Sequence, residues 1–182
     1  MKITISGPPG SGTTTVAKIV CQTLGLKLIS AGDVFRQLAA KRGMTVEEFS
    51  KYAEENPEID HLIDQTQKEL AEQEENVVVE GRLSGWFVKD ADLKVWIFAD
   101  PETRYARIAN REGKELTVAR QETRLREELE KRRYRKFYSI DIDNWTIYDL
   151  VINSEKFDPD TIARLIVLAA ERIKNKIKAG QT

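Results

Sequence analysis

The chain has 182 residues, enough for one well-buried core and short for two independent domains. Its 29 Lys and Arg against 30 Asp and Glu leave a net charge of −1, which offers no overall field to hold a nucleic-acid backbone. No stretch approaches the roughly 20 apolar residues of a membrane span, no signal-peptide pattern precedes the first strand, and the lone Cys21 excludes an internal disulfide, so a monomeric, cytoplasmic protein binding neither membrane nor nucleic acid is expected.

Lys2 to Ser6 places Ile3 and Ile5 on one face and reads as a strand. It runs into Gly7-Pro8-Pro9-Gly10-Ser11-Gly12-Thr13-Thr14-Thr15, which fits the spacing of a phosphate-binding loop in every element but one. Gly7 and Gly12 match and Thr14 takes the hydroxyl position, but Thr13 stands where lysine is expected. Glycines let successive backbone N–H groups turn inward, and the helix that follows adds its positive end, so anionic phosphate is the natural ligand. That helix carries an apolar stripe of Val16, Ala17, Ile19, Val20 and Leu24, with Cys21 a small buried hydrophobe beside it. Strand, loop and helix together point to a nucleoside triphosphate.

Lys27 to Ser30 reads as a second strand, followed at once by Ser30, Gly32 and Arg36, a hydroxyl, a hinge and a guanidinium suited to a monophosphate. Helices are predicted over Gly32 to Ala40, Thr45 to Glu55 (stopping before Pro57) and Ile59 to Glu74, an all-helical insert with Ile59, Leu62, Ile63 and Leu70 inward. His61 falls on its polar stretch and reads as a surface residue.

Asn76 to Val79 is a third strand, nearly all apolar as befits a strand covered on both faces, and Glu80-Gly81-Arg82 follows it. A carboxylate at a strand end beside a phosphate loop suits magnesium, which makes Glu80 the metal candidate and Arg82 a second acceptor-side arginine. Leu93 to Phe98 is a fourth strand of the same buried kind. Beyond it, Arg104 to Lys136 holds nine arginines and three lysines against six glutamates. Glycine in Asn110 to Lys114 breaks this stretch into two helices, as in a hinged lid that delivers arginines to a transferring phosphoryl group. Arg107, Arg111, Arg126 and Arg133 stand out. Ile147 to Ile152 is the fifth strand. A last helix starts at Asp158 and Pro159, with Ile162, Leu165, Ile166, Ala169, Ile173 and Ile177 as its core stripe. Trp86, Trp96 and Trp145 read as packing residues. Alternating strands and helices predict an α/β fold with a five-stranded parallel sheet whose loops gather the motifs at one edge.

Four segments carry a resemblance: GPPGSGTTT at 7–15, SAGDVFR at 30–36, VVVEGRLSGW at 77–86, and RRYRKFYSIDIDN followed by YDLVIN. With them the chain resembles the P-loop nucleoside monophosphate kinases, most closely the archaeal-type cytidylate kinases. The resemblance implies a single P-loop kinase domain with a core (1–30, 76–106 and 138–182), a monophosphate-binding insert (31–75) and a lid (107–137). It implies ATP-dependent phosphorylation of CMP or dCMP with Mg2+, residues 7–15 on the ATP phosphates and Thr14 on magnesium. Ser30, Arg36, Arg82 and Arg126 would serve the acceptor, with Asp141 and Asp143 near its base or ribose. Arg107, Arg111 and Arg133 would be catalytic, and the loop from Asn153 to Phe157 would meet adenine. Thr13 departs from the wider family's lysine, and Glu80 from its commoner aspartate. A kinase of another monophosphate such as AMP, and a non-catalytic ATP-binding switch, are the alternatives; a switch needs no second anion site, which Arg36 and Arg82 supply.

Overall fold

In the computed structural model, residues 1–56 and 58–180 are described, the side chains of Glu47, Glu54, Ile177 and Lys178 excepted, so Pro57 and the Ile177 side chain lie outside the described residues. Five strands, β1 (Lys2–Ser6), β2 (Lys27–Ser30), β3 (Val77–Glu80), β4 (Leu93–Phe98) and β5 (Leu150–Asn153), form one all-parallel sheet in the order β2-β3-β1-β4-β5. β1 is central, with Ile3 opposite Val78 of β3 and Ile5 opposite Val95 of β4. The loops leaving the neighbouring strands β1 and β4 run to opposite sides of the sheet, and the crevice beyond the strand ends at such a switch point is where open α/β sheets bind ligands.

Strand alternation sorts side chains onto two covered faces. Ile3, Ile5, Val78, Val95 and Ile97 pack beneath α1 (Thr13–Leu24) and, through Ile162 and Ile166, α8 (Pro159–Lys178). Between β2 and β3 stand α2 (Ala31–Lys41), α3 (Val46–Glu55) and α4 (Glu58–Glu72). They enclose a small core of their own, Val34, Leu38, Phe49, Ile59 and Ile63, and α4 also covers the opposite sheet face through Ala71 against Val77 and Val79. The rest of that face is filled by the short α5 (Ser84–Phe87) and by α7 (Leu116–Tyr138), with Leu83, Trp96, Tyr134 and Tyr148 in one cluster, and α6 (Pro101–Glu112) packs on α7 through Ile108, Ala109 and Ala119. No described helix is long and apolar enough to cross a membrane.

The helix ends follow local chemistry. Thr45 forms a capping box with Glu48, Asp100 caps α6 ahead of Pro101, and the Asp158 carboxylate accepts from the Thr161 amide at 2.7 Å. Gly113, left-handed at φ 64°, ends α6 and separates it from α7.

Two expectations need correction. The fifth strand starts at Leu150, because Ile147 and Tyr148 are held in a turn by the Tyr148 amide on the Trp145 carbonyl. Leu165 is 41% exposed, since the buried stripe of α8 runs along Ile162, Ile166 and Ala170 at four-residue spacing, with Ala163 beside it. Ile166 is fully buried between α8 and the sheet. Ile166→Ala is expected to lower the stability measured by urea unfolding by about 2 to 5 kcal/mol; a change near zero would mean that α8 does not dock as described.

Candidate functional site

The strand ends open onto a cleft of about 450 Å3, with the glycine loop at its base, α2 and α4 on one wall and α7 on the other. The loop owes its path to the absence of side chains. A Cβ on Gly7 would sit 2.2 Å from the Ile97 carbonyl oxygen, and one on Gly10, whose φ is 79°, would sit 2.6 Å from the Arg104 carbonyl oxygen. Gly12, at φ 93°, is the N-cap of α1 and makes no side-chain cap, so the first amides of that helix are left for a ligand. All of Gly7 to Thr15 lines the cleft except Ser11, which is buried beneath it.

Behind the loop stand two arginines. Arg104, buried, donates from Nη1 to the Pro9 carbonyl at 3.0 Å and to Glu127 of α7, and from Nε to the Ala99 carbonyl. Arg107 donates to the Ser154 hydroxyl and carbonyl at 2.9 and 2.8 Å and more distantly to the Gly10 carbonyl. Arg107 is therefore corrected from a lid residue facing the reaction to a clamp between the glycine loop and the segment after β5. Arg104 escaped the sequence reading, because nothing in its neighbourhood along the chain announces a partner near residue 9.

Thr13 and Thr14 both donate to Glu80 Oε1, at 2.8 and 3.2 Å. Burial pushes the Glu80 carboxyl up, against the pull of the two threonine hydroxyls and the nearby Arg82. Thr14 and Glu80 thus bring two oxygen donors together at the cleft floor, a set that fits Mg2+, a hard cation that prefers oxygen ligands and keeps waters and substrate phosphates for the rest.

Across the cleft, Arg82 and Arg126 converge on one carboxylate, Glu130, at 2.9 and 2.8 Å. Burial alone would push Glu130 up; the charges of Arg82, Arg126 and Arg133 outweigh it and hold the carboxyl below its usual range. Arg133 pairs with Asp60 of α4. Arg111, well exposed, also lines the cleft and has Glu112 as its ion partner. Arg36 is at the rim, its guanidinium paired with Asp33 and folded back over Gly32.

Besides Arg107 and Arg133, which do not line this cleft, three more expected site residues lie outside it. The Ser30 hydroxyl caps α2, accepting from the Asp33 amide and donating to the Asp33 carboxylate. Asp141 pairs with Arg135, and Asp143 with Lys131, on the flank of α7, where Asp143 lines a neighbouring hollow with Pro8, Arg82 and Glu130. Conversely, Asp60 and Asp64 line the cleft and were not singled out. Their signal was present: two acids four apart on a helix repel each other, so an external reason for the pair is needed. His61, exposed as expected, hydrogen-bonds Tyr138 through Nδ1 at 2.7 Å.

The cytidylate kinase-like family model matches residues 2–156. Over 177 residues, 97% of this chain and 98% of the relative, the sequence is 81% identical to a cytidylate kinase of Archaeoglobus fulgidus. It is 46% identical to one of Pyrococcus horikoshii, covering 98% and 92% of the two chains. Among solved structures it resembles shikimate kinase from Acinetobacter baumannii in complex with shikimate (TM-score 0.65, 16% identity, 94% and 93% covered). The Aquifex aeolicus shikimate kinase is similar too (TM-score 0.58, 21% identity, 94% and 96% covered), and at these identities the likeness is one of fold, that of P-loop kinases.

Because its folded-state carboxyl lies below the ordinary value of 4.5, Glu130 stabilises the fold above that value and loses the contribution as pH falls through the folded value. Thermal unfolding followed from neutral pH into acid is expected to fall more steeply in the wild type than in Glu130→Gln. Parallel curves would overturn the linkage.

Proposed function

Because the chain belongs to the cytidylate kinase-like family and matches cytidylate kinases over nearly its whole length, it is a nucleoside monophosphate kinase, and we propose that it transfers the γ-phosphoryl group of ATP to CMP or dCMP. One observation carries the mechanism: two anion sites, the amides of the glycine loop and the guanidinium groups of Arg82 and Arg126, face the same cleft. A phosphate oxygen of the monophosphate forms a bond to the γ-phosphorus as the bond from that phosphorus to its bridging oxygen breaks, releasing ADP and CDP or dCDP.

In this reading residues 7–15 cradle the ATP phosphates, and the loop from Asn153 to Phe157 meets adenine while Arg107 fixes Ser154 within it. Thr14 and Glu80 would hold Mg2+, which when bound neutralises phosphate oxygens as charge moves between them. Arg82 and Arg126 take the acceptor phosphate, exchanging part of their pairing with Glu130 for phosphate oxygens, and Arg36 joins them from the rim. The core, insert and lid divide at 31–75 and 107–137, with Gly113 as the break about which α7 moves relative to α6 and Arg111. The protein acts as a monomer in the cytoplasm.

Thr13 leaves the β- and γ-phosphates without the usual lysine. Arg111 and Arg133 supply the missing charge in our assignment, and Arg104 adds to it from behind the loop by polarising the Pro9 peptide unit, whose amide is that of Gly10; the Gly10 peptide unit that Arg107 meets has its amide on the Pro8 carbonyl.

Coupled ADP release should be stimulated by CMP and dCMP and far less by UMP or AMP; no stimulation by any of them would overturn the assignment. Arg111→Ala, Arg126→Ala and Arg133→Ala, assayed singly, are expected to include at least one loss of about 100-fold or more in kcat. Near-wild-type turnover in all three would remove the charge redistribution.

A further inference from the structure

The acceptor half of the cleft must do more than hold phosphate. CMP and UMP carry the same phosphate and ribose and differ at one edge of the base. There cytosine presents an exocyclic amine, a donor, beside an acceptor ring nitrogen, and uracil presents a carbonyl beside a donor N–H. A site that separates them needs an acceptor with a free lone pair on the wall facing that edge.

The polar side chains on this wall are few, and most are committed. Arg82 and Arg126 share Glu130, and Asp60 is bound to Arg133. Gln67 spends its Nε2 on the Glu80 carbonyl at 2.8 Å and presses its Oε1 against Gly81, where an added Cβ would meet it at 2.7 Å. Asp64 differs. It lines the cleft beside Ile63, and among the described residues its one hydrogen bond is accepted from the Tyr138 hydroxyl at 3.1 Å, on Oδ2, which leaves Oδ1 without a partner among them. Since Tyr138 donates to Asp64, it accepts from His61 Nδ1, so a chain His61 to Tyr138 to Asp64 ties α4 to the end of α7 and fixes the carboxyl's orientation.

We propose that Asp64 reads the exocyclic amine of the acceptor's base and is the residue that separates cytosine from uracil. The proposal rests on the monophosphate kinase reading above. Phe35 of α2 and Ile63, which line the same cleft, give the base apolar faces to lie against.

The chemistry carries a pH signature. Burial pushes the Asp64 carboxyl up to about 7, opposed by the Tyr138 hydroxyl and assisted by Asp60 and Glu130, with Arg133 pulling it down. The other groups facing this part of the cleft are His61 on α4, Tyr134 and Arg126 on α7, and Arg82 after β3. Below about 7 the neutral acid both donates and accepts, so it pairs with either base; above, the carboxylate only accepts, which suits the amine of cytosine and repels the carbonyl of uracil. Preference for CMP therefore rises with pH.

The test compares kcat/KM for CMP and UMP with one enzyme at one pH, so that effects on the shared phosphate cancel. From about pH 6 to about pH 8 the ionised fraction of a group titrating near 7 rises about tenfold, and the wild-type CMP-to-UMP ratio is expected to rise by about that factor. In Asp64→Asn the amide can present either end, so the ratio should drop about 10- to 100-fold, mostly through KM for the monophosphate, and lose its pH dependence, with KM for ATP unchanged. Tyr138→Phe, which keeps the carboxyl and frees its orientation, should fall in between. A wild-type ratio flat across this range, or an Asp64→Asn ratio equal to the wild type's in enzyme with normal KM for ATP, overturns the proposal. If wild-type enzyme phosphorylates neither CMP nor UMP, the kinase reading itself has failed and Asp64 falls with it.

Discussion

Every peptide unit has two polar ends, and a loop that turns its N–H groups toward a ligand must turn its carbonyls somewhere else. Here the carbonyls of Pro9 and Gly10 face away from the cleft into the guanidinium groups of Arg104 and Arg107. Much of the site's architecture follows from that constraint. Arg104 can reach Pro9 only because Gly10 lacks a Cβ and lets the loop sit against the backbone of α6. Its other contact, Glu127, sets where α7 lies. Arg107 then ties the segment after β5 to the same loop through Ser154. Three parts of the chain distant in sequence are thereby registered against one glycine-rich turn.

The threonine in the lysine position is best understood within this frame. Thr13 reaches Glu80 instead of extending along the phosphate path, and with Thr14 it gives that buried carboxylate hydrogen-bond donors from two successive residues of the first turn of α1. A lysine there would bring a mobile charge on a long stem. In our assignment that charge comes instead from arginines held by backbone carbonyls and by α7, fixed before the ligand arrives, which suits a reaction that depends on positioning and preorganised electrostatics.

What could be read from the sequence divides by the distance over which the signal acts. The glycine loop, the arginine after β3, the caps at Thr45, Asp100 and Asp158, and the parallel sheet were all legible, because backbone freedom, capping and strand burial are written within a few residues. Arg104 was not, since its partner is set by the packing of α6 under the loop. The basic partners of Asp141 and Asp143 were not legible for the same reason. Ser139 adopts a left-handed conformation at φ 55° that turns the chain back along α7, so both acids find basic partners on that helix. Asp64 lay on a helix whose inward face was identified correctly, but facing a cleft and facing a core give the same periodicity.

The pairing of Arg82 and Arg126 with Glu130, and of Arg133 with Asp60, bears on how the enzyme senses its ionic surroundings. A basic groove neutralised by dissolved salt binds phosphate by releasing small ions, and its affinity falls steeply as salt is added. In this cleft the neutralising charges are covalently part of the fold. On the proposed acceptor role of Arg82 and Arg126, binding would swap an internal carboxylate for a phosphate oxygen with few mobile ions released, so affinity for the monophosphate is expected to be buffered against changes in salt.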